Sequence, residues 1–183
     1  METIANFKFN FWLWLLVALA LVLAAFFNTY FAAIPYHFLR ISWYVHLHAA
    51  LGVAWLVLLL RQASLIGNEK HEAHRRLGKT GYLLMPLLLL SLLPLLFFTW
   101  LRGDKLVMFA VVSAALLLAL FFTCGMVWRK KRAVHQRFML ATGLVLLDPI
   151  LARFGVNLLG LPGEWGNHLP FLVMDGALLV LLV

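Results

Sequence analysis

The chain has 183 residues, of which 64% are apolar and only 12% are charged, and its formal net charge is +8. Runs of about twenty residues without a charge recur along it, which soluble globular domains do not carry. These features exclude an ordinary soluble domain and predict an all-α integral membrane protein. The positive charge follows from a loop bias described below, so we expect membrane lipid, and no nucleic acid, as a partner.

Six apolar segments are long enough, or nearly so, to cross a bilayer as helices of about 20 residues. In chain order they cover roughly residues 10–33, 43–66, 80–100, 106–128, 138–156 and 169–183. The last segment would reach only about 22 Å at 1.5 Å per residue. We therefore expect a bundle of six transmembrane helices, or seven if the chain continues beyond Val183. With no linker and no internal repeat, residues 1–183 are predicted to form a single transmembrane helical domain.

Basic residues fall mainly on one side of the predicted membrane. If the N-terminus is cytoplasmic, the inside segments hold eleven Lys and Arg residues and the outside segments hold four. Cytoplasmic loops carry such an excess, so the bias predicts a cytoplasmic N-terminus. The cluster from Trp128 to Arg132 acts as a topology anchor, and it can also contact anionic lipid.

Two histidines on different predicted helices share the cytoplasmic edge. His74 precedes the third helix and His135 precedes the fifth, and a haem b with two imidazole ligands needs such a pair. Gly78, one turn after His74, removes a side chain where a flat macrocycle must pass between helices. Arg75 and Arg137 are predicted to hold haem propionates through charge-assisted hydrogen bonds. The same pattern also suits interfacial residues with no ligand.

A second polar cluster is predicted near the outer edge, and its residue types suit a transition metal. Neutral imidazole and carboxylate ligands are typical of zinc, iron or copper sites, and the candidates are His46, His48, Asp148 and Asp175. On a regular helix His46 and His48 point about 200° apart, so only one is expected to face the bundle. His48 recurs at seven-residue spacing with Trp55 and Gln62, which favours His48. An ion pair between Asp148 and Arg153 is the structural alternative.

The ordered segments HLHAALGVAWLVLLLRQASLI, HRRLGKTGYLLMP and HQRFMLATGLVLLDPILAR resemble an uncharacterised bacterial family of multi-pass membrane proteins. The likeness covers residues 43–153 and implies a bacterial cytoplasmic (inner) membrane. The matching positions are His46, His48, Trp55, Gln62, His74, Arg75, Gly78, His135, Arg137, Met139, Asp148 and Arg153.

More distantly, the histidine layers are similar to those of transmembrane dihaem b-type cytochromes, which pass electrons from ascorbate or quinol. Those proteins hold one haem between the second and fourth helices and another between the third and fifth. The third-to-fifth pair corresponds to His74 and His135. The fourth segment here has no histidine, and Met108 is its only soft donor at a suitable depth, so the resemblance implies one haem at most.

We therefore expect a membrane redox protein that binds haem b between the third and fifth helices and transfers electrons at the cytoplasmic face. A quinol or another small reductant, or a membrane protein complex, would be its partner. In two alternatives the outer cluster is the functional site. The chain would then be a membrane metal-dependent enzyme or a proton-coupled transporter. A further alternative is a non-catalytic accessory subunit or scaffold of a membrane complex, whose polar groups only join helices.

Overall fold

Helices make up almost all of the chain that the computed structural model describes, namely residues 11–28, 30–33, 41–162, 165, 168–173 and 176. No β-strand occurs in these residues, which confirms the all-α class for this part of the chain. The helices are α1 (Phe11–Phe26), α2 (Trp43–Gly67), α3 (His71–Gly78), α4 (Gly81–Leu90), α5 (Leu92–Arg102), α6 (Lys105–Val127) and α7 (Arg132–Asn157), with a short 3-10 turn at Phe31–Ala33.

Four helical stretches are long and apolar enough to cross a membrane. They are α2, the 32-residue run His71–Arg102 that contains α3 to α5, Val107–Val127 within α6, and α7. With 16 residues, α1 is shorter than the span of about 20 that a bilayer requires. Most of the sixth predicted segment, residues 169–183, lies outside the described residues. The membrane character is therefore supported, while the count of six helices and the side of the N-terminus stay predictions.

The third predicted helix differs most from expectation, because it starts nine residues earlier and is broken into three pieces. The break at Ser91 has a local cause. Pro94 has no N–H for the carbonyl of Leu90, so the helical ladder loses a hydrogen bond just where α4 ends. The Ser91 hydroxyl donates instead to the carbonyl of Leu88 at 2.6 Å. The interruption carries a buried polar side chain, that of Ser91, inside the bundle.

The buried core lies midway along the bundle, where α2, α4, α6 and α7 meet. Its members are Trp55, Leu58, Met85, Leu88, Leu118 and Val145. Trp55 is fully buried, and its indole Nε1 donates to Thr142 Oγ1 at 3.1 Å, which joins α2 to α7. Many apolar side chains point outward, for example Leu83 and Phe109 with 68% and 70% of their surface exposed. Such an apolar exterior suits a lipid environment.

The two ends of the bundle differ in charge. The basic end is formed by α3, the last turns of α2 and α6, and the first turn of α7, and it carries Arg75, Arg76, Lys79, Arg129, Lys130, Lys131, Arg132 and Arg137. At the opposite end, Tyr44 of α2 stacks on Phe98 of α5 with ring centroids 4.9 Å apart. There Asn157 Nδ2 also donates to the carbonyl of Ala25 at 2.9 Å, which ties the end of α7 to α1. Successive spans therefore run antiparallel.

Candidate functional site

The two histidines predicted to bind haem lie together at the basic end. His74 is in α3 and His135 is in the first turn of α7, and the two rings are close enough for their charges to interact. The main packing partners of α3 are α2 and α4, whereas those of α7 are α6, α1 and α2. The two side chains therefore come to the basic end from separate parts of the bundle.

A hydrogen bond fixes the tautomer of His135. Its Nδ1 lies 2.7 Å from the carbonyl oxygen of Gly125, near the end of α6, and a carbonyl can only accept. In the neutral ring, Nδ1 therefore carries the proton and Nε2 keeps its lone pair. Histidines that ligate metals are commonly held in this way, with the remote nitrogen donating to a carbonyl. His135 is thus oriented as a ligand or a hydrogen-bond acceptor.

His74 and Gln62 each bury a polar atom without a partner. Among the residues described, His74 Nδ1 and Gln62 Oε1 are the buried side-chain nitrogen and oxygen atoms that form no hydrogen bond. The His74 ring itself hydrogen-bonds the main chain of Gln62, so the two residues are already in contact and the unpaired atom is Nδ1 alone. A buried polar group without a partner costs about 1–3 kcal/mol, so such groups usually meet a ligand or an ordered water. The two atoms are complementary, since Nδ1 can donate and Oε1 can only accept.

Gly78 makes room for Gln62. A Cβ atom at Gly78 would lie 3.2 Å from Gln62 Nε2, closer than most side-chain contacts allow. The glycine that was expected to accommodate a macrocycle thus borders the Gln62 carboxamide in this structure. Arg75 and Arg137 are both exposed at the basic end, and neither forms an ion pair within the described part of the chain. Their charges are available to an anionic group.

The outer histidines point to different partners, as the helical geometry predicts. Since the Ser91 hydroxyl proton is used on the carbonyl of Leu88, His48 Nδ1 donates to Ser91 Oγ at 2.8 Å. Tyr30 lies beyond α1, and its hydroxyl donates to His46 Nδ1 at 2.5 Å. His46 and His48 therefore do not converge on one point.

The carboxylates predicted for the outer cluster complete no metal site among the residues described. Asp148 is partly buried in α7, and its carboxyl group forms no hydrogen bond or ion pair with them. Arg153 does not pair with Asp148. Its Nη1 donates to the carbonyl of Pro149 at 3.2 Å, and its guanidinium lies 4.8 Å from the ring centroid of Phe26. Asp175 lies outside the described residues, within which no three His, Cys, Asp or Glu side chains group as metal ligands.

Sequence reasoning placed the inner histidines on one layer but missed the groups that orient them. The sequence assigns Gln62 no role toward His74; it predicts only that Gln62 shares a stripe with His48 and Trp55, and that stripe faces the bundle. Its seven-residue spacing was the signal that a polar side chain follows the core tryptophan. The role of Gly125 could not be read from the sequence, because His135 bonds its backbone carbonyl, a group that every residue carries. Ser91, a polar residue between Pro86 and Pro94, was a usable signal for the break between α4 and α5.

No protein-family model, curated protein or solved structure matches the chain. The two resemblances drawn from the sequence stay predictions, and the functional argument rests on the geometry above.

Proposed function

We propose that the chain is a membrane redox protein that holds haem b between His74 and His135. The observation that carries the proposal is the orientation of His135 at the basic end. Its Nε2 lone pair is free, and His74, on a different helix, lies within range of its electrostatic influence. Haem supplies one-electron chemistry when bound, and the remaining roles belong to the residues of this chain.

The unpaired atoms support a ligand at this position. If His74 binds iron through Nε2, its Nδ1 carries a proton that needs an acceptor, and the Oε1 atom of Gln62 is a buried acceptor without a donor. We expect the Gln62 carboxamide to accept this hydrogen bond. Both axial ligands would then have the same tautomer, with Nδ1–H directed at an oxygen. Gln62 is a positioning residue in this proposal, because it acts through His74.

Arg75 and Arg137 are proposed to hold the propionates. They follow His74 and His135 by one and two residues, and both are exposed. Guanidinium groups form charge-assisted, often bidentate hydrogen bonds with carboxylates. The charge bias supports a cytoplasmic location for this end, and the resemblance drawn from the sequence implies a bacterial inner membrane. Electrons would therefore be exchanged at the cytoplasmic face, with a quinol or another small reductant, or with a membrane protein complex.

The test is an optical spectrum of the detergent-purified protein, oxidised and then reduced with dithionite, after expression with haem supplied. We expect a Soret band and a reduced α-band with one haem per chain. His74→Ala and His135→Ala should each lose or shift these bands. The matched control is His71→Ala, which removes an exposed histidine from the same helix as His74 and should leave the spectrum unchanged.

Other results would point elsewhere. A colourless protein that carries stoichiometric zinc, iron or copper would overturn the haem proposal and favour a metal-dependent enzyme. A colourless, metal-free protein with pH-dependent uptake lost in Asp148→Asn would favour a proton-coupled transporter. A folded protein with none of these properties would favour a scaffold. A haem spectrum that is indifferent to both His74→Ala and His135→Ala would contradict the proposed ligands.

A further inference from the structure

We propose that Lys79, Tyr82 and Arg129 form a binding site for the phosphate group of an anionic phospholipid at the basic end. This site, called the Lys79–Tyr82–Arg129 site below, does not depend on haem. It involves the corner between α3 and α4 and the connection between α6 and α7.

A hydrogen bond between distant parts of the chain builds the site. Arg129 Nη1 donates to the hydroxyl of Tyr82 at 2.7 Å, across 47 residues of sequence. The Tyr82 ring packs edge-on against Phe122 with centroids 6.2 Å apart, which holds the hydroxyl in place. The Tyr82 N–H donates to the carbonyl of Lys79 at 3.2 Å. Residues three apart in such a turn share a face, so Lys79 extends from the same side as Tyr82.

The site offers donors and no free carboxylate. Because Tyr82 accepts from Arg129, its own O–H remains to donate. The other N–H groups of Arg129 and the ammonium of Lys79 add further donors and two positive charges. The sequence has no Asp or Glu between Glu72 and Asp104. Glu72, the nearest acid along the chain, forms an ion pair with Arg76. An anion with several acceptor oxygens, such as a phosphodiester, complements this arrangement.

The position favours a lipid headgroup over a soluble anion. Tyr82 begins the apolar part of a membrane-spanning run, and Leu83 beside it exposes 68% of its surface. Trp128 precedes Arg129, is 41% exposed and stacks on Phe138 with centroids 5.5 Å apart. Exposed Trp and Tyr side chains with nearby basic residues are typical of the headgroup level. A zwitterionic headgroup brings a cation that Lys79 and Arg129 repel, so the site should prefer phosphatidylglycerol.

The experiment measures bound lipid by native mass spectrometry of the purified full chain in mixed micelles of phosphatidylglycerol and phosphatidylcholine. We expect the wild type to retain phosphatidylglycerol. Arg129→Gln should lower this preference about tenfold or more, since it removes a hydrogen bond between charged groups and not only a nearby charge. Tyr82→Phe keeps the ring on Phe122 but removes the hydroxyl, and it should lower the preference about two- to tenfold.

The matched control is Lys130→Gln, which removes the same charge from the neighbouring exposed residue and should lower the preference by no more than about fivefold, the effect of one nearby basic residue. Equal losses in Arg129→Gln and Lys130→Gln would overturn the proposal, because diffuse charge alone would then explain lipid retention. An unchanged preference in Tyr82→Phe would also overturn it. Displacement of phosphatidylglycerol by an equal concentration of glycerol phosphate would instead assign the site to a soluble anion. Should Arg129→Gln fail to fold, Tyr82→Phe and Lys79→Gln carry the test.

Discussion

The hydrogen bond between Trp55 and Thr142 gives a sharp test of how the bundle is held together. Trp55 and Thr142 both have 0% exposed surface, and the indole N–H meets the Thr142 hydroxyl at 3.1 Å. That hydroxyl donates in turn to the carbonyl of Met139 at 2.7 Å. Thr142→Val keeps the shape of the side chain and removes the acceptor. The Trp55 N–H is then left without a hydrogen-bond acceptor at a position that water does not reach.

The expected cost follows from two limits. In soluble proteins an orphaned buried donor costs about 1–3 kcal/mol. Measured interhelical hydrogen bonds in a membrane protein are weaker, with an average of about 0.6 and a maximum of about 1.7 kcal/mol. Full burial of Trp55 raises the cost above the membrane-protein average, whereas the Met139 carbonyl adds little because it remains part of the helix. We therefore expect Thr142→Val to lower the free energy of unfolding by about 1 kcal/mol.

The assay is reversible unfolding in mixed detergent micelles, followed by circular dichroism for the wild type, Thr142→Val, Trp55→Phe and the double variant. Thr142→Ser is the control, because it keeps the hydroxyl. In the Trp55→Phe background no donor remains to be orphaned, so Thr142→Val should cost much less there. A coupling energy near zero would refute the reasoning and reduce the contact to simple packing.

Two predictions concern groups near the proposed haem ligands or far from them. Gln62→Glu should lower the haem reduction potential by on the order of 60 mV, or about 1.4 kcal/mol, because an anionic acceptor at His74 Nδ1 stabilises ferric iron. A redox titration measures this shift, and Gln62→Leu should shift the potential in the opposite direction. An unchanged potential in both variants would show that Gln62 does not act on His74. Asp148→Asn should leave the haem spectrum unchanged. It should leave the unfolding midpoint equal or raise it, since it removes a charge that has no described partner inside a membrane span. A changed haem spectrum would contradict the placement of Asp148 away from the haem ligands.

The membrane-spanning character of the helices and the start of α2 could be predicted from the sequence, because each depends on local composition or helical period. The seven-residue spacing of His48, Trp55 and Gln62 predicted which face of α2 points into the bundle for the same reason. Long apolar runs do not reveal where a helix breaks, however. Pro86 and Pro94 both lie in the third segment, yet only the missing bond to Leu90 coincides with the break at Ser91.

Partners contributed by distant segments could not be predicted. Arg153 and Asp148 are five residues apart, and their opposite charges suggested an ion pair. In the folded chain, the Pro149 carbonyl and the Phe26 ring satisfy the guanidinium instead. The Gly125 carbonyl, which orients His135, has no signature in a side-chain pattern. Tertiary contacts of this kind arise only once α1, α6 and α7 are packed.

The contrast between the two polar layers argues for the basic end as the functional one. On α2, fourteen residues separate His48 from Gln62, about 21 Å along the helix, with Trp55 midway. At the opposite end, His46 and His48 each engage a hydroxyl group from another part of the chain, as residues that join structural elements do. At the basic end the fold instead leaves a buried nitrogen and a buried oxygen without partners, next to an imidazole fixed in the tautomer of a ligand. Leaving such atoms without partners costs about 1–3 kcal/mol each, and a ligand of the kind proposed above would recover that cost by supplying the missing hydrogen bonds.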